Sequence, residues 1–336
     1  MMDKVRWGML STAAIGRLVA TALRDSKQTE FVAVASRDAA RARAFAAELD
    51  LASSFGSYAE LLASDDVDAV YVALPVSKHA EWTVRALEAG KHVLCEKPFT
   101  LDPLEAARCF DAAEAAGRVC VEGLMWRLHP KTALAVQLVA EGAIGQLATV
   151  RAALSVSVPP GDIRRSVELG GGALGDLGCY CVSAIRLFAG EPQRVQAEFV
   201  RDRVDGVDLR VAATLAMPGD LLGVFDVGLD LTRRDELELI GTEGKVTVPD
   251  PWICRADYVE LQRDGEVERI PVDRSGEVLI DPEHDAYRIE FDAVSSAIAG
   301  YESPAFGRAD AVAQATVLDA LRRAAKDGQP VNLTSP

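Results

Sequence analysis

The stretch Val93-Leu94-Cys95-Glu96-Lys97-Pro98 decides how the chain is read. An apolar run ends in an acid, a lysine and a proline. Proline has no backbone N–H and restricts the residue before it, so it stops a strand and fixes the backbone that carries Lys97. A lysine at the carboxyl end of a parallel strand sits where open α/β sheets bind ligands. Taken alone, Lys-Pro at a strand end is ordinarily a solvated pair. The flanking sequence changes that reading.

Toward the N-terminus, Val5-Arg6-Trp7-Gly8-Met9-Leu10 reads as a strand and Ser11-Thr12-Ala13-Ala14 as a small-residue turn. Apolar spacing at Ile15, Leu18, Val19, Ala22 and Leu23 predicts a helix, and Phe31-Val32-Ala33-Val34-Ala35 a second strand. Strand, turn, helix and strand within about 30 residues is the βαβ unit of dinucleotide-binding folds. The G-x-G-x-x-G register falls on Ser11, Ala13 and Gly16. Small side chains there still let backbone N–H groups approach a pyrophosphate at the helix N-terminus. The second strand ends Ala35-Ser36-Arg37, where an NAD-specific fold usually places an acid. A hydroxyl beside a guanidinium suits a ribose 2′-phosphate, which favours NADP and leaves NAD as the other candidate. The competing reading makes Arg37 a solvated loop charge and Asp38 a cap for the helix 39–49.

The alternation continues with a helix at 58–63, a strand at 69–73, a helix at 79–89 and the strand that presents Lys97. Leu74-Pro75-Val76-Ser77-Lys78-His79 is a strand-to-helix loop on the same carboxyl edge as the Ser11 turn, placed to cover a cofactor's ribose and phosphates. Pro103 opens a helix, Gly117 ends it, and Cys120-Val121 adds a strand. Residues 1–124 therefore predict a doubly wound, mostly parallel Rossmann sheet.

Past residue 124 the pattern changes. A helix at 130–141 precedes strand-like segments at 148–158, 194–200, 209–217, 222–229, 236–241, 258–263 and 267–272, with helices at 175–189, 283–299 and 308–326. Residues 125–336 thus predict an α+β domain with a large, mostly antiparallel open-faced sheet and helices on one face. The uncovered face predicts self-association as a homodimer or homotetramer. Within this domain Gly170-Gly171-Gly172 precedes a helix that carries Asp176 and Tyr180 at i and i+4, a spacing that suits flanking a substrate hydroxyl; the competing reading is helix-end charge complementarity for Asp176 and core packing for Tyr180.

Composition narrows the function. Against 36 basic residues stand 51 acidic ones, and the net charge of −15 disfavours nucleic acid and anionic membranes as partners. No apolar run reaches the roughly 18 residues of a membrane span. The N-terminus passes straight into a strand pattern without a signal-peptide layout. Six cysteines, at 95, 109, 120, 179, 181 and 254, form no Cys-x-x-Cys pair, and four scattered histidines form no His-x-x-x-His pair. The expectation is a cytoplasmic, reduced protein without a metal site. Cys179 and Cys181, flanking Tyr180, read as small buried residues.

Four stretches in order complete the reading: the strand–turn–helix at Gly8–Gly16, Glu96-Lys97-Pro98, Glu122-x-x-Met125-Trp126-Arg127-x-His129-Pro130, and the glycine run leading to Asp176 and Tyr180. Together they resemble the glucose–fructose oxidoreductase, inositol dehydrogenase and rhizopine-catabolism (Gfo/Idh/MocA) family across essentially the whole chain. Tyrosine at 180, where many polyol dehydrogenases of the family carry histidine, looks like the branch of dimeric dihydrodiol dehydrogenases and NADP-dependent xylose dehydrogenases. The resemblance implies Lys97 and Tyr180 as the catalytic pair, Asp176 positioning substrate, Glu96 facing the cofactor ribose, and Trp126, Arg127, Arg164 and Tyr287 near the cofactor. It implies an NADP-dependent oxidoreductase for a sugar, cyclic polyol or related carbonyl compound, most sharply an aldose (xylose-like) 1-dehydrogenase. Alternatives are a reductase of free or nucleotide-linked keto sugars, an NAD-dependent glycoside hydrolase, and a non-catalytic NADP-binding sensor.

Overall fold

The structure is a computed structural model that describes residues 4–272 and 285–333. Strands β1 (Val5–Leu10), β2 (Thr29–Ala35), β3 (Ser53–Phe55), β4 (Ala69–Val72), β5 (His92–Glu96) and β6 (Cys120–Gly123) form a six-stranded sheet ordered β3-β2-β1-β4-β5-β6. Every neighbouring pair is parallel. The crossovers are α1 (Ile15–Leu23), α2 (Ala39–Leu49), α3 (Tyr58–Leu62), α4 (His79–Glu88) and α5 (Pro103–Ala116). All four residues of β4 are buried, as a central parallel strand requires. Helix α1 buries Gly16, Val19, Ala22 and Leu23, one face of a helical repeat. Helix α5 begins with Pro103 at its first turn under an Asp102 cap, whose carboxylate accepts from the Leu104 N–H at 2.7 Å. It ends at Gly117 with φ 61°, a left-handed closure that glycine makes without steric cost. The strand order reverses at β1 and β4, so their carboxyl ends open the crevice in which such sheets bind ligands.

The second sheet has nine strands. After α6 (Pro130–Ala140) come β7 (Leu147–Ser157), a π-helical turn Leu174–Gly178, α7 (Cys179–Ala189), β8 (Arg194–Arg201), β9 (Asp208–Ala216), β10 (Leu222–Gly228), β11 (Asp230–Gly241), β12 (Lys245–Thr247), β13 (Tyr258–Arg263) and β14 (Glu266–Pro271). Helix α8 (Asp285–Ile298) follows, then α9 (Arg308–Asp327) and β15 (Val331–Asn332). The sheet order is β14-β13-β12-β11-β7-β10-β9-β8-β15, antiparallel except for the parallel pair β7–β10. Along β9, Val211, Ala213 and Leu215 are buried while Arg210, Ala212 and Thr214 are exposed, so one face packs inward and the other is open. Helix α7 packs on β7 and β10 and is buried from Cys179 to Arg186. Helix α9 locks it: Gln314 donates to the Cys179 carbonyl at 2.7 Å and accepts from Arg186 at 3.0 Å.

The single helix expected at 175–189 is a π turn followed by α7. The short strands β3, β12 and β15 carry no alternation long enough to be read from sequence. The expected start of α8 at Glu283 lies outside the described residues.

The chain divides into two compact units, Met1–Met125 with His284–Val312, and Trp126–Glu283 with Ala313–Pro336. Helix α8 therefore belongs with the parallel sheet, although a single cut after residue 124 assigns it to the second domain. Its residues explain the placement. Phe291 meets the edges of Trp7 and Tyr71 at 4.8 and 5.2 Å, Ser295 accepts from the Trp7 indole at 3.0 Å, and Asp292 accepts from the Ser26 and Thr29 hydroxyls at 2.5 and 2.8 Å.

Candidate active site

The first unit gathers most of the expected cofactor residues on the carboxyl edge of its sheet. Ser11 adopts φ 121°, a glycine-like conformation, so the turn after β1 keeps the shape of the glycine fingerprint without its first glycine. Its hydroxyl donates to the Ala73 carbonyl at 2.7 Å and accepts from the Ala13 N–H at 3.2 Å, tying the turn to the end of β4. A Cβ on Gly16 would lie 2.5 Å from Met9 Sδ, which is why the third fingerprint position retains glycine. Helix α1 starts at Ile15 without a side-chain cap, and a helix N-terminus favours an anion.

At the end of β2, Ser36 is buried and its Oγ accepts from the Asp38 N–H at 3.2 Å. Asp38 caps α2, accepting from Ala40 and Arg41 at 2.8 and 3.2 Å. The cap and the arginine are not alternatives. Arg37 is exposed and lies beside the Tyr58 phenol, while Arg41 donates to Thr12 Oγ1 at 3.4 Å. Two guanidinium groups, those of Arg37 and Arg41, thus stand beside Tyr58, close to the Thr12 hydroxyl.

In the loop after β4, Leu74 is buried, Pro75 half-buried and Ser77 exposed. His79 is only 1% exposed and does not line an open surface. Its ring nitrogens lie 2.8 Å from the Leu74 carbonyl oxygen and 2.9 Å from the Pro98 carbonyl oxygen; burial pushes its pKa down, and the neutral ring donates its single N–H to one of the two. The residue clamps two loops together. Lys97 is half-buried at the end of β5, and the Lys97–Pro98 peptide is cis. Glu96 accepts from the Tyr71 hydroxyl through one oxygen and from the Lys97 N–H at 3.2 Å through the other. Tyr287 of α8, 8% exposed, stands near the Tyr71 phenol.

The second unit carries the other expected residues. A Cβ on Gly171 would lie 2.5 Å from the Arg164 carbonyl oxygen, and Gly172 takes φ 130° with its N–H bonded to that same oxygen at 2.9 Å. The glycine run is therefore packed directly against the Ile163–Arg165 turn. This brings Arg164 under the electrostatic influence of Asp176. Arg164 also grips Asp162 through two bonds at 3.0 and 2.9 Å, which holds the Asp162 carboxyl below its usual range. Asp176 lies in the π turn and Tyr180 in the first turn of α7, and π turns recur at functional sites. Tyr180 is 7% exposed, its ring tilted against Trp252 at 5.7 Å. Trp126 is fully buried and meets Trp252 edge-on at 5.5 Å, and Arg127 beside it is buried as well. Burial pushes the Cys181 thiol well up, which keeps that thiol protonated.

Residues 5–124 match the model of an oxidoreductase family with an NAD-binding Rossmann fold, and residues 132–247 match the GFO/IDH/MocA C-terminal domain. The chain belongs to the GFO/IDH/MocA oxidoreductases. A D-xylose 1-dehydrogenase (NADP(+)) of Haloferax volcanii is 36% identical over 97% of this chain and 99% of its own length. A dTDP-3,4-didehydro-2,6-dideoxy-alpha-D-glucose 3-reductase of Actinomadura kijaniata is 33% identical over 97% of both chains. The crystal structure of a 3-ketoreductase from Actinomadura kijaniata in complex with NADP and TDP-benzene superposes with TM-score 0.88 and 32% identity, covering 96% of this chain and 98% of that one. This GFO/IDH/MocA member is an oxidoreductase.

Sequence reading missed several residues of this oxidoreductase. Arg41 was legible as a second arginine four residues after Arg37, on the first turn of α2. Tyr71, Glu290, Asp208 and Trp252 gave no signal, because each acts through a partner distant in sequence.

Proposed function

We propose that the protein is an NADP-dependent oxidoreductase that moves a hydride between the nicotinamide and a sugar or sugar-like carbonyl compound. The observation that carries the cofactor choice is the group Thr12, Ser36, Arg37 and Arg41 at the end of β2. An acid in that place would repel a 2′-phosphate, whereas two guanidinium groups neutralise it. Bound NADP supplies the hydride acceptor or donor.

The chain's own groups handle the proton. Oxidation of a carbinol takes a hydride from carbon and a proton from oxygen, and Tyr180 is assigned as the general base, with Lys97 assisting; in reduction the tyrosine returns the proton. Asp176, one turn before Tyr180, accepts a hydroxyl hydrogen bond and sets the substrate's orientation. The sharper reading, an aldose (xylose-like) 1-dehydrogenase, is supported by the full-length likeness to the Haloferax enzyme. A keto-sugar reductase is the second reading, supported by the equally full-length likeness to the Actinomadura enzyme. Self-association through the open face of the nine-stranded sheet completes the proposal. No helix among the described residues is long and apolar enough to cross a membrane.

The test is NADP-dependent turnover, read by absorbance of the reduced nicotinamide, over aldoses, polyols and free or nucleotide-linked keto sugars. Oxidation of pentoses supports the first reading and reduction of keto sugars alone the second. Turnover of glycosides without added cofactor, or NADP binding with no turnover on the whole panel, contradicts both.

A further inference from the structure

We propose that Tyr71 is a positioning residue for Lys97, acting through Glu96. Tyr71 is 0% exposed in the centre of β4. Its ring packs edge-on against Phe291, centroids 5.2 Å apart and planes at 71°, and Phe291 packs likewise on Trp7 at 4.8 Å and 64°. This aromatic stack holds the ring in one orientation. From it the hydroxyl donates to Glu96 Oε1, and Glu96 Oε2 accepts from the Lys97 N–H at 3.2 Å. The carboxylate therefore bridges a fixed phenol and the peptide that presents the Lys97 side chain.

The surroundings keep that bridge in one state. Glu122 Oε1 accepts from the Phe99 N–H at 2.9 Å, just past Pro98. Glu290 of α8, 3% exposed, accepts from the Leu124 N–H. Three carboxylates share one buried corner with Tyr71, Tyr287 and the Lys97 turn, and His79 closes the turn from α4. Burial and the Glu96 charge push the Glu290 carboxyl well above its usual range. Burial and Glu96 also raise the Tyr71 phenol, which stays protonated and remains the donor. Glu96 is held from both ends, by the Tyr71 hydroxyl on one oxygen and the Lys97 N–H on the other.

The role rests on the reading of Lys97 as the catalytic lysine, so the test has one arm that needs no substrate. Tyr71→Phe keeps the ring and removes only the hydroxyl. In the cofactor-free protein, amide hydrogen exchange at Lys97 should accelerate about tenfold while the Val72 and Leu94 amides of the same sheet stay protected. In NADP-dependent turnover, kcat should fall about tenfold with the KM for NADP within about twofold, and Tyr71→Phe added to Glu96→Gln should cause no further loss. Unchanged exchange at Lys97 overturns the proposal. Losses that multiply in the double variant overturn the route through Glu96. If the wild type turns over no compound of the sugar panel, the functional reading fails, and the exchange comparison still decides the role of Tyr71.

Discussion

Asp208 Oδ2 accepts a hydrogen bond from the Leu174 N–H at 2.7 Å, so a residue of β9 caps the π turn that carries Asp176. A Cβ on Gly172 would lie 2.2 Å from the other Asp208 oxygen, and the glycine is what lets the carboxylate approach. Asp208→Ala should lower kcat/KM for sugar about tenfold or more, because misplacing a positioning group is costly in a preorganised site. Asp208→Asn keeps an acceptor oxygen and should retain most activity. NADP affinity, set in the other unit, should be unchanged in both. Steady-state kinetics with nicotinamide fluorescence titration measure all three.

Gly171 offers a second handle on the same unit. Its nearest would-be contacts are backbone, the Arg164 carbonyl at 2.5 Å and the Ile163 oxygen at 2.9 Å, and backbone cannot step aside as a side-chain end can. Gly171→Ala should destabilise the protein by about 1–3 kcal/mol, read from the denaturant midpoint. The KM for sugar should rise with it, since the Arg164 turn moves away from Asp176.

The cofactor preference should follow Arg37 and Arg41. In the proposed cofactor site each guanidinium would supply a charge-assisted bond to the 2′-phosphate, worth about 1.5–3 kcal/mol. Arg37→Ala and Arg41→Ala should each raise the KM for NADP about tenfold or more and leave the KM for NAD almost unaltered. Equal losses with both cofactors would remove the phosphate from that place.

Stability should fall on acidification through a defined window. His92 Nδ1 accepts from the Val119 N–H at 3.0 Å, which needs the neutral ring, and burial lowers the His92 pKa from its ordinary 6.5 to about 4. Between those values the unfolded chain takes up the proton and the folded one does not, so this contribution is whole above 6.5, declines below it and is gone at about 4. His79, lowered by burial, acts in the same direction. Urea midpoints should decline across that window, and His92→Asn, which keeps an acceptor but no titration, should flatten the slope.

The first unit was the more legible because its signals are local. Strand, turn and helix at Val5–Leu10 and Ile15–Leu23, the Asp102-Pro103 start of α5 and its Gly117 stop all depend on neighbours in sequence. The conformation of Ser11 was harder to see, since the Ser11 hydroxyl is tied to the Ala73 carbonyl just past β4, 62 residues away. His79 reads as a loop residue facing the cofactor, yet its two carbonyl partners turn it into a buried clamp. In the second unit the helix after the glycine run was visible, but its π turn was not, and the carboxylate that caps that turn, Asp208, lies 34 residues further along the chain. Trp252 is decisive for the Tyr180 ring and sits in an irregular stretch with no periodicity to mark it.

The assignment of Tyr180 and Lys97 carries the mechanism, and one comparison tests it most directly. Wild type, Tyr180→Phe and Lys97→Met would be assayed for NADP-dependent turnover of the best sugar, with NADP affinity measured on the same samples. The account predicts that each variant binds NADP within about threefold of wild type and loses turnover about 100-fold or more, the scale of general acid–base catalysis. Tyr180→Phe with undiminished turnover would contradict it.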